Sequence, residues 1–490
     1  MIEKIKARIV FLIFFPLLIF YIMIFCFQVT ADEISGMSFE EVIKWGLENN
    51  HELNIIRNNI NEIEKNIEII NAGESFQVDL SITPIWRFNE SEENSQIIEL
   101  NKNSFSPNAE VSLSATKQLA GNINLSTELN WKTASLYQEN FTELTEKINA
   151  DLRSSKKIYP NTPSENEKQV YSLRNQLEMS LQELKWAETE KQIEFIQDYL
   201  NIIRLQKQMD IARERQQLAM IEMIKTEKRI ELGEGGYQQE AEAEINMEEA
   251  SNNLFSIEQN LTQAKQQWAL SLNLPTDMNV VFKEDVDLIK KLFTEMENLV
   301  TDYESSEILT KKIVKTHYQL KNSQIEMEEL VNELKWTEDA GKPAINLAGG
   351  YDYPDTNWFI MLDFTMKLSD GGLQQLREEQ RVRIIRQKEI NITYLAEQLR
   401  LQAEQLSGRD EYNYLNWNTQ KKALEKEQNR VDIIKMQYQQ GVINEKQLKN
   451  AFLTLQEKEI QARQAADEWF INRLKLAQLT GYFEADINVN

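Results

Sequence analysis

Two long stretches, 165–232 and 373–440, contain no proline and a single glycine, Gly408. A proline inside a helix removes a hydrogen bond and clashes with the preceding turn. Each stretch therefore predicts one unbroken helix, about 100 Å long at about 1.5 Å per residue. Globular helices seldom exceed about 25 residues, so rods of this length must lie against other helices. Their flanking marks repeat. Ser164 and Gly372 precede them, Gly233 and Gly441 close them, and Asn273 and Gly481 mark second stops; the spacing is 208 in every pair. Asn and Gly tolerate the left-handed conformation just past a helix end. Ser164-Glu165-Asn166-Glu167, after Pro163, has the pattern of a capping box. A fixed spacing of this kind marks an internal repeat.

The segments after the closing glycines carry a matching seam. Leu448, Ala451, Leu455, Ala462, Ala465, Trp469, Leu476 and Leu479 recur at 3–4 spacing, interrupted by Lys458 and Asn472. Shifted back by 208, the row becomes Ala243, Met247, Ala250, Leu254, Ile257, Leu261, Ala264 and Trp268, flanked by Glu240 and Ser271. Rows of this spacing pack helix on helix. Each repeat thus ends in a helical hairpin with its tip at Gly233 or Gly441. Residues 38–71 and 305–335 read as shorter helices that complete the length of each rod's partner. Pairing Asn50-His51-Glu52-Leu53 with Ser305-Ser306-Glu307-Ile308 gives an offset of 255 in place of 208, so the first inter-helix region is longer than the second by enough for an extra hairpin and a loop.

Between the helices the period changes to two. Over 358–369, Trp358, Ile360, Leu362, Phe364, Met366 and Leu368 form one face, and Asp363 and Lys367 lie on the other. Earlier, Val78, Leu80, Ile82, Trp86 and Phe88 alternate with positions that include Asp79 and Arg87. Further alternating runs span 109–116, 123–131 and, more weakly, 148–152. Strands with one apolar and one polar face suit a membrane barrel, where Asp79, Arg87, Asp363 and Lys367 would face the lumen. A soluble two-layer sheet gives the same alternation; the export leader and the long rods favour the barrel.

That leader occupies positions 1–31. Lys4, Lys6 and Arg8 precede an uncharged apolar run over 9–27, followed by Val29-Thr30-Ala31. This is a signal peptide with cleavage after Ala31; the run is long for one, and an uncleaved signal anchor is the competing reading. Cys26, the one cysteine of the chain, lies inside it, so the exported part has no disulfide. The remaining organisation reads as a first repeat over 32–275, a linker over 276–304 and a second repeat over 305–490. No later stretch is continuously apolar over the length a spanning helix needs, so any further membrane crossing must be a β-barrel.

Several function classes are excluded. The 78 acidic residues outweigh 54 basic ones, for a net charge of −24, which does not suit a nucleic-acid partner. The only two histidines, His51 and His317, lie far apart in sequence, and no cysteine remains for a ligand set or nucleophile. Gly233-Glu234-Gly235-Gly236 ends a helix, whereas a phosphate loop follows a strand. No enzyme activity, cofactor or metal is expected.

Four motifs in order resemble the TolC family of outer-membrane efflux proteins. They are Phe39-Glu40-Glu41-Val42-Ile43 leading to Asn49-Asn50-His51-Glu52-Leu53, then Leu368-Ser369-Asp370-Gly371-Gly372, then Tyr438-Gln439-Gln440-Gly441 with Ala451, and finally Leu479-Thr480-Gly481. The resemblance implies a homotrimer in which each protomer gives four strands to a twelve-stranded barrel in outer-membrane lipid. The helices would build a periplasmic tunnel. It further implies a periplasmic adaptor, meeting the hairpin tips at Gly233, Gly441 and Val442, and an inner-membrane transporter that supplies energy. By the same likeness Tyr438, Gln447 and Asn450 fall at the periplasmic gate, with amides at 447 and 450 where better-known members carry acids. The extra alternating runs leave the strand number per protomer open.

The fold class expected is therefore mainly α with a β-barrel part: long coiled-coil hairpins forming an α-barrel tunnel, plus a transmembrane barrel built by the trimer. The function expected is a passive outer-membrane channel of a tripartite efflux or type I secretion system. The alternative is an exported or anchored coiled-coil scaffold without a pore. The paired strand regions separate the two, because a scaffold has no use for an apolar outer wall.

Overall fold

The structure, a computed structural model, describes residues 39–88, 105–119, 123–133, 147–274 and 312–481 except 314. The leader, the linker and residues 305–308 lie outside the described residues. The first repeat region holds α1 (Phe39–Asn49), α2 (His51–Gly73), β1 (Gln77–Phe88), β2 (Phe105–Leu119), β3 (Ile123–Thr133), β4 (Lys147–Tyr159), α3 (Glu165–Glu231) and α4 (Tyr237–Ser271). The second holds α5 (Tyr318–Ala340), β5 (Ala344–Tyr353), β6 (Asn357–Thr365), α6 (Leu373–Gln439) and α7 (Glu445–Leu479). The chain divides into two compact units. One comprises the described parts of Met1–Arg57, Glu183–His317 and Ala396–Asn490; the other comprises Asn58–Gln182 and Tyr318–Leu395.

Local chemistry sets the ends of these elements. The long helices α3 and α6 each run 67 residues without a break. At the start of α3, the Glu167 amide donates to Ser164 Oγ at 3.1 Å and the Ser164 amide donates to Glu167 Oε2 at 2.7 Å. Both close on a glycine with positive φ, +74° at Gly233 and +73° at Gly441. There the Glu234 amide reaches back to Arg229 O at 2.8 Å, and the Val442 amide to Gln437 O at 2.9 Å, which satisfies carbonyls left over at a helix end. The segment 38–71 is interrupted where one helix was expected. Asn50 stops α1 and caps α2, its Oδ1 accepting from the amides of Glu52 at 3.0 Å and Leu53 at 3.2 Å.

Corresponding elements occur at two spacings. Helix α3 starts at Glu165 and α6 at Leu373, while α4 starts at Tyr237 and α7 at Glu445, which keeps the spacing of 208 in both pairs. Helices α2 and α5, and strands β1 and β5, start 267 apart. The offset of 255 taken from the sequence is therefore corrected: Asn50 and Leu53 correspond to His317 and Leu320, and all four are buried. The misalignment arose because a helix-start pattern of small and acidic residues is common, whereas burial of one specific leucine is not visible in sequence.

In the unit containing the hairpins, α4 lies on α3, α3 on α7 and α7 on α6. Trp268 Nε1 donates to Phe195 O at 3.3 Å. Arg215 Nε donates to Glu457 at 2.8 Å, and Asn472 Nδ2 to Leu406 O at 2.9 Å. The main core gathers Val42 and Ile43 of α1, Phe195, Tyr199 and Ile202 of α3, Trp268 and Leu272, and Phe470 and Leu474 of α7. Gly46 lets α1 approach: a Cβ there would stand 2.3 Å from Leu272 Cδ2 and 2.8 Å from Phe195 Cε2. The α6–α7 contact also buries charge. Arg473 Nε lies 3.3 Å from Asp410 Oδ1, both side chains being under a tenth exposed. The same guanidinium stands 4.4 Å from the centre of Trp469, which stacks on Trp417 at 5.0 Å.

In the unit containing the sheet, α5 lies between the start of α3 and the start of α6. Asn175 donates to Glu329 at 3.1 Å and Asn332 to the Tyr171 hydroxyl at 2.9 Å. Toward α6, Glu333 pairs with Arg381 and Glu326 with Lys388. All six strands form one sheet in sequential order, and every neighbouring pair is antiparallel. β5 went unread in the sequence because Gly349-Gly350 interrupts its alternation. Pro84, with no amide hydrogen to donate, sits in the edge strand β1, where such a residue is tolerated.

Candidate channel wall and hairpin tips

Register decides which side chains share a face, because directly opposed residues point the same way. Starting at the β6 edge, Leu362 opposes Leu347, and Ile360 opposes Gly349. Across β4 and β3, Tyr351 opposes Leu152, which opposes Thr127, and Ala150 opposes Leu129. Onward, Leu129 opposes Leu113, which opposes Leu80, while Thr127 opposes Ala115, which opposes Val78. One mainly apolar face therefore continues across all six strands, with Lys117 and Lys156 on it near the helix-side ends of β2 and β4. The described residues leave it uncovered: Leu80 is 65% exposed, Leu362 66% and Ile360 86%.

The opposite face is mainly polar along the same registers, although β6 also places Phe359 and Met361 on it. Asp79 opposes Ser114, Ser114 opposes Glu128, Glu128 opposes Asp151, and Asp151 opposes Asp352. Asn346 opposes Asp363 and donates to its carboxylate at 3.4 Å, and Thr365 Oγ1 donates to the same oxygen at 3.2 Å. Asp79 and Asp363 thus lie on this face, as read from the sequence. Arg87 lies in β1, but its side chain is outside the described residues. Lys367 is corrected: β6 ends at Thr365, so Lys367 belongs to the connection before α6. There Asp370 stops the strand period by accepting from the amides of Gly372 at 2.9 Å and Gln374 at 2.7 Å.

The two hairpin tips differ in chemistry. The first is Gly233-Glu234-Gly235-Gly236, and Gly236 stands at the N-cap of α4 with no side-chain cap. The second carries an exposed Val442 and a capping box, in which Asn444 Oδ1 accepts from the Gln447 amide at 2.9 Å and Gln447 Oε1 accepts from the Asn444 amide at 3.0 Å. Tyr438 lies in the last turn of α6, and Gln447 and Asn450 in the first two turns of α7. All three are at least partly solvent-exposed, but Gln447 is tied to its own helix start. The signal for this was present as Asn three positions before Gln; the resemblance drew attention to Gln447 as a gate residue instead.

Other chemistry-bearing groups have structural settings. His51 is exposed. His317 is buried against Trp186, with ring centres 4.6 Å apart, and burial lowers its pKa to about 4. Asp467, on α7, pairs with Arg463 at 3.0 Å, yet burial raises its carboxyl to about 6. Among the described residues, no group of three or more His, Cys, Asp or Glu is placed to hold a metal ion. Nor is any described helix long and apolar enough to cross a membrane.

No family model matches the chain, and no curated protein matches it in sequence. Solved structures do match in fold. The outer-membrane protein VceC of Vibrio cholerae superposes with a TM-score of 0.58 at 11% identity, covering 90% of this chain and 96% of that one. The Campylobacter jejuni outer-membrane channel CmeC gives 0.60 at 11% identity, over 90% and 85%. The open state of the Neisseria gonorrhoeae outer-membrane channel MtrE gives 0.59 at 12% identity, over 90% and 88%. Together with the register of its sheet and its paired helical hairpins, this likeness establishes that the chain has the fold of these outer-membrane channels, the fold of the TolC family that its motifs resemble.

Proposed function

We propose that the mature chain is one of three identical protomers of a passive outer-membrane channel, serving a tripartite efflux or type I secretion machine. The observation that carries this reading is the division of the six-stranded sheet into one mainly apolar face and one mainly polar face. An uncovered apolar face of this size is unstable in water and suits a bilayer, while the polar face suits an aqueous lumen. In this reading residues 1–31 are the leader, 32–275 and 305–490 are the two repeats, and 276–304 join them.

The helices form the periplasmic tunnel, and most of the chain lies in the periplasm. The tips around Gly233, Gly441 and Val442 meet a periplasmic adaptor that connects to an energised inner-membrane transporter. Tyr438, Gln447 and Asn450 line the gate. An amide ring there binds cations less well than carboxylates do.

Single-channel conductance in planar bilayers tests this, with detergent-purified protein whose mass is measured alongside. Discrete conductance from a trimer is the expected result. A monomeric or dimeric rod that never conducts overturns the channel reading in favour of an envelope scaffold. Gln447→Glu and Asn450→Asp then test the gate. The first retains the capping box while adding charge, and both are expected to increase block by multivalent cations.

A further inference from the structure

The two strand regions join the helices alike but differ in strand number. β1 follows α2 as β5 follows α5, and β4 leads into α3 as β6 leads into α6. β2 and β3 have no counterparts. They do not stand apart from the sheet: each is hydrogen-bonded on both sides, with no register shift against β1, each other or β4. The apolar face runs through them, with Lys117 and Lys156 on it only near the helix-side ends of β2 and β4, and without them β1 and β4 would each lose a partner. The link between β2 and β3 is only 120–122, and Gln118 beside it accepts from Asn166 Nδ2 at the start of α3 at 3.2 Å. The links 89–104 and 134–146 join the other ends of their strands. The link between β5 and β6, 354–356, also joins those other ends and is short; a short turn on the helix side with two longer connections opposite it matches the arrangement of outer-membrane barrels.

We infer that the β2–β3 hairpin is part of the membrane wall, so that three chains build a barrel of eighteen strands in place of the twelve implied by the family resemblance. The inference rests on the trimeric channel reading above. Six is an even number, so β1 and β6 run in opposite directions, and β6 of one copy can pair antiparallel with β1 of the next. The ring then closes with no free edge, which hydrocarbon requires. Barrel diameter grows roughly in proportion to strand number, so the mouth is about one and a half times as wide as a twelve-stranded one. The cargo class that needs such a mouth is bulky and hydrophilic, and the hairpin adds Glu110 and Glu128 to the polar lining.

Two measurements on the full chain test this. Single cysteines are placed at Leu113 and Ser114 of β2, and at Met361 and Leu362 of β6 for reference, in a Cys26→Ser background. The trimer in lipid vesicles is then treated with a water-soluble maleimide on both sides and, separately, a lipid-borne quencher. Ser114→Cys and Met361→Cys are expected to react with the maleimide, while Leu113→Cys and Leu362→Cys are protected and respond to the quencher. Equal reaction at both β2 positions, with β6 still alternating, overturns the inference alone. Loss of alternation in β6 as well overturns the channel reading beneath it. In the second measurement, deletion of residues 105–146 leaves β1 and β4 to form one hairpin. The largest neutral polyethylene glycol that enters from the barrel side is expected to fall by about a third in radius; an unchanged cut-off overturns the inference.

Discussion

Helices α4 and α7 have the same length, the same place after a long helix and the same 3–4 row of apolar residues, yet they live in different surroundings. Ile245 of α4 is 55% exposed, whereas Leu453, its counterpart in the second repeat, is 1% exposed. Gln259 is exposed, whereas its counterpart Asp467 is buried. The cause is position among neighbours. Among the described residues α7 lies between α3 and α6 along its length, while α4 lies against α3 and meets α1 only at its C-terminal end. A shared period therefore specifies a shared seam, and the number of neighbours decides whether the remaining faces are covered. The open flank of α4, with Ile245, Phe255 and Leu270 exposed, suits the adjoining copy in the proposed trimer.

Charge burial gives the largest contrast. Arg473→Ala leaves Asp410 buried without its cation and is expected to destabilise the protein by about 3–5 kcal/mol in denaturant titrations. The corresponding Lys265→Ala, on the partly open α4, is expected to stay within about 0.5 kcal/mol. Equal losses would end the comparison.

Next in size, Leu453→Ala opens a cavity and is expected to cost about 3 kcal/mol. Ile245→Ala is expected to cost less than about 1 kcal/mol of folding stability, but to shift trimer toward monomer in light scattering on dilution. An Ile245 variant that stays trimeric at all dilutions would show that the open flank faces solvent.

A smaller effect depends on pH. Asp467 has its folded pKa raised from 3.8 to about 6, so its protonated form is favoured in the native state. The resulting stabilisation is full below about pH 4 and is lost as pH rises through about 6. Asp467→Asn is expected to flatten that slope and raise stability at pH 7 by about 1–2 kcal/mol. Substituting the exposed Gln259 should leave the slope unchanged.

The smallest contrast is at the tips. Asn444→Ala removes a capping box and is expected to cost about 1 kcal/mol, whereas Gly236→Asn supplies a missing cap and should gain a few tenths. Thermal unfolding in detergent reads both.

Much of this was legible because long-range order left short-range marks. The capping box at Ser164, the glycines at 233 and 441 and the 208 spacing are local chemistry repeated, and they fix α3, α4, α6 and α7. β1, β2 and β3 were legible from alternation alone. What escaped depended on contacts. Asn50 caps α2 while its side-chain amide donates to Ser271 O at 2.7 Å, a partner far along the chain, so the break between α1 and α2 had no strong local signal. The true correspondence of Asn50 with His317 was hidden because the shared property is burial and the residue types differ. Lys367 continues the alternation past the end of β6, but Asp370 draws the following amides into the start of α6. Gln447 was assigned by position in a resemblance, whereas its side chain is held by Asn444.

The two-faced sheet also bears on how the protein is made. A single chain emerging into an aqueous compartment would carry a broad greasy surface bounded by two strand edges ready to recruit any extended peptide. Such a chain has a short safe lifetime alone. For the proposed channel, biogenesis therefore calls for an escort that masks this surface from secretion until insertion, and for joining of copies to be coupled to entry into lipid.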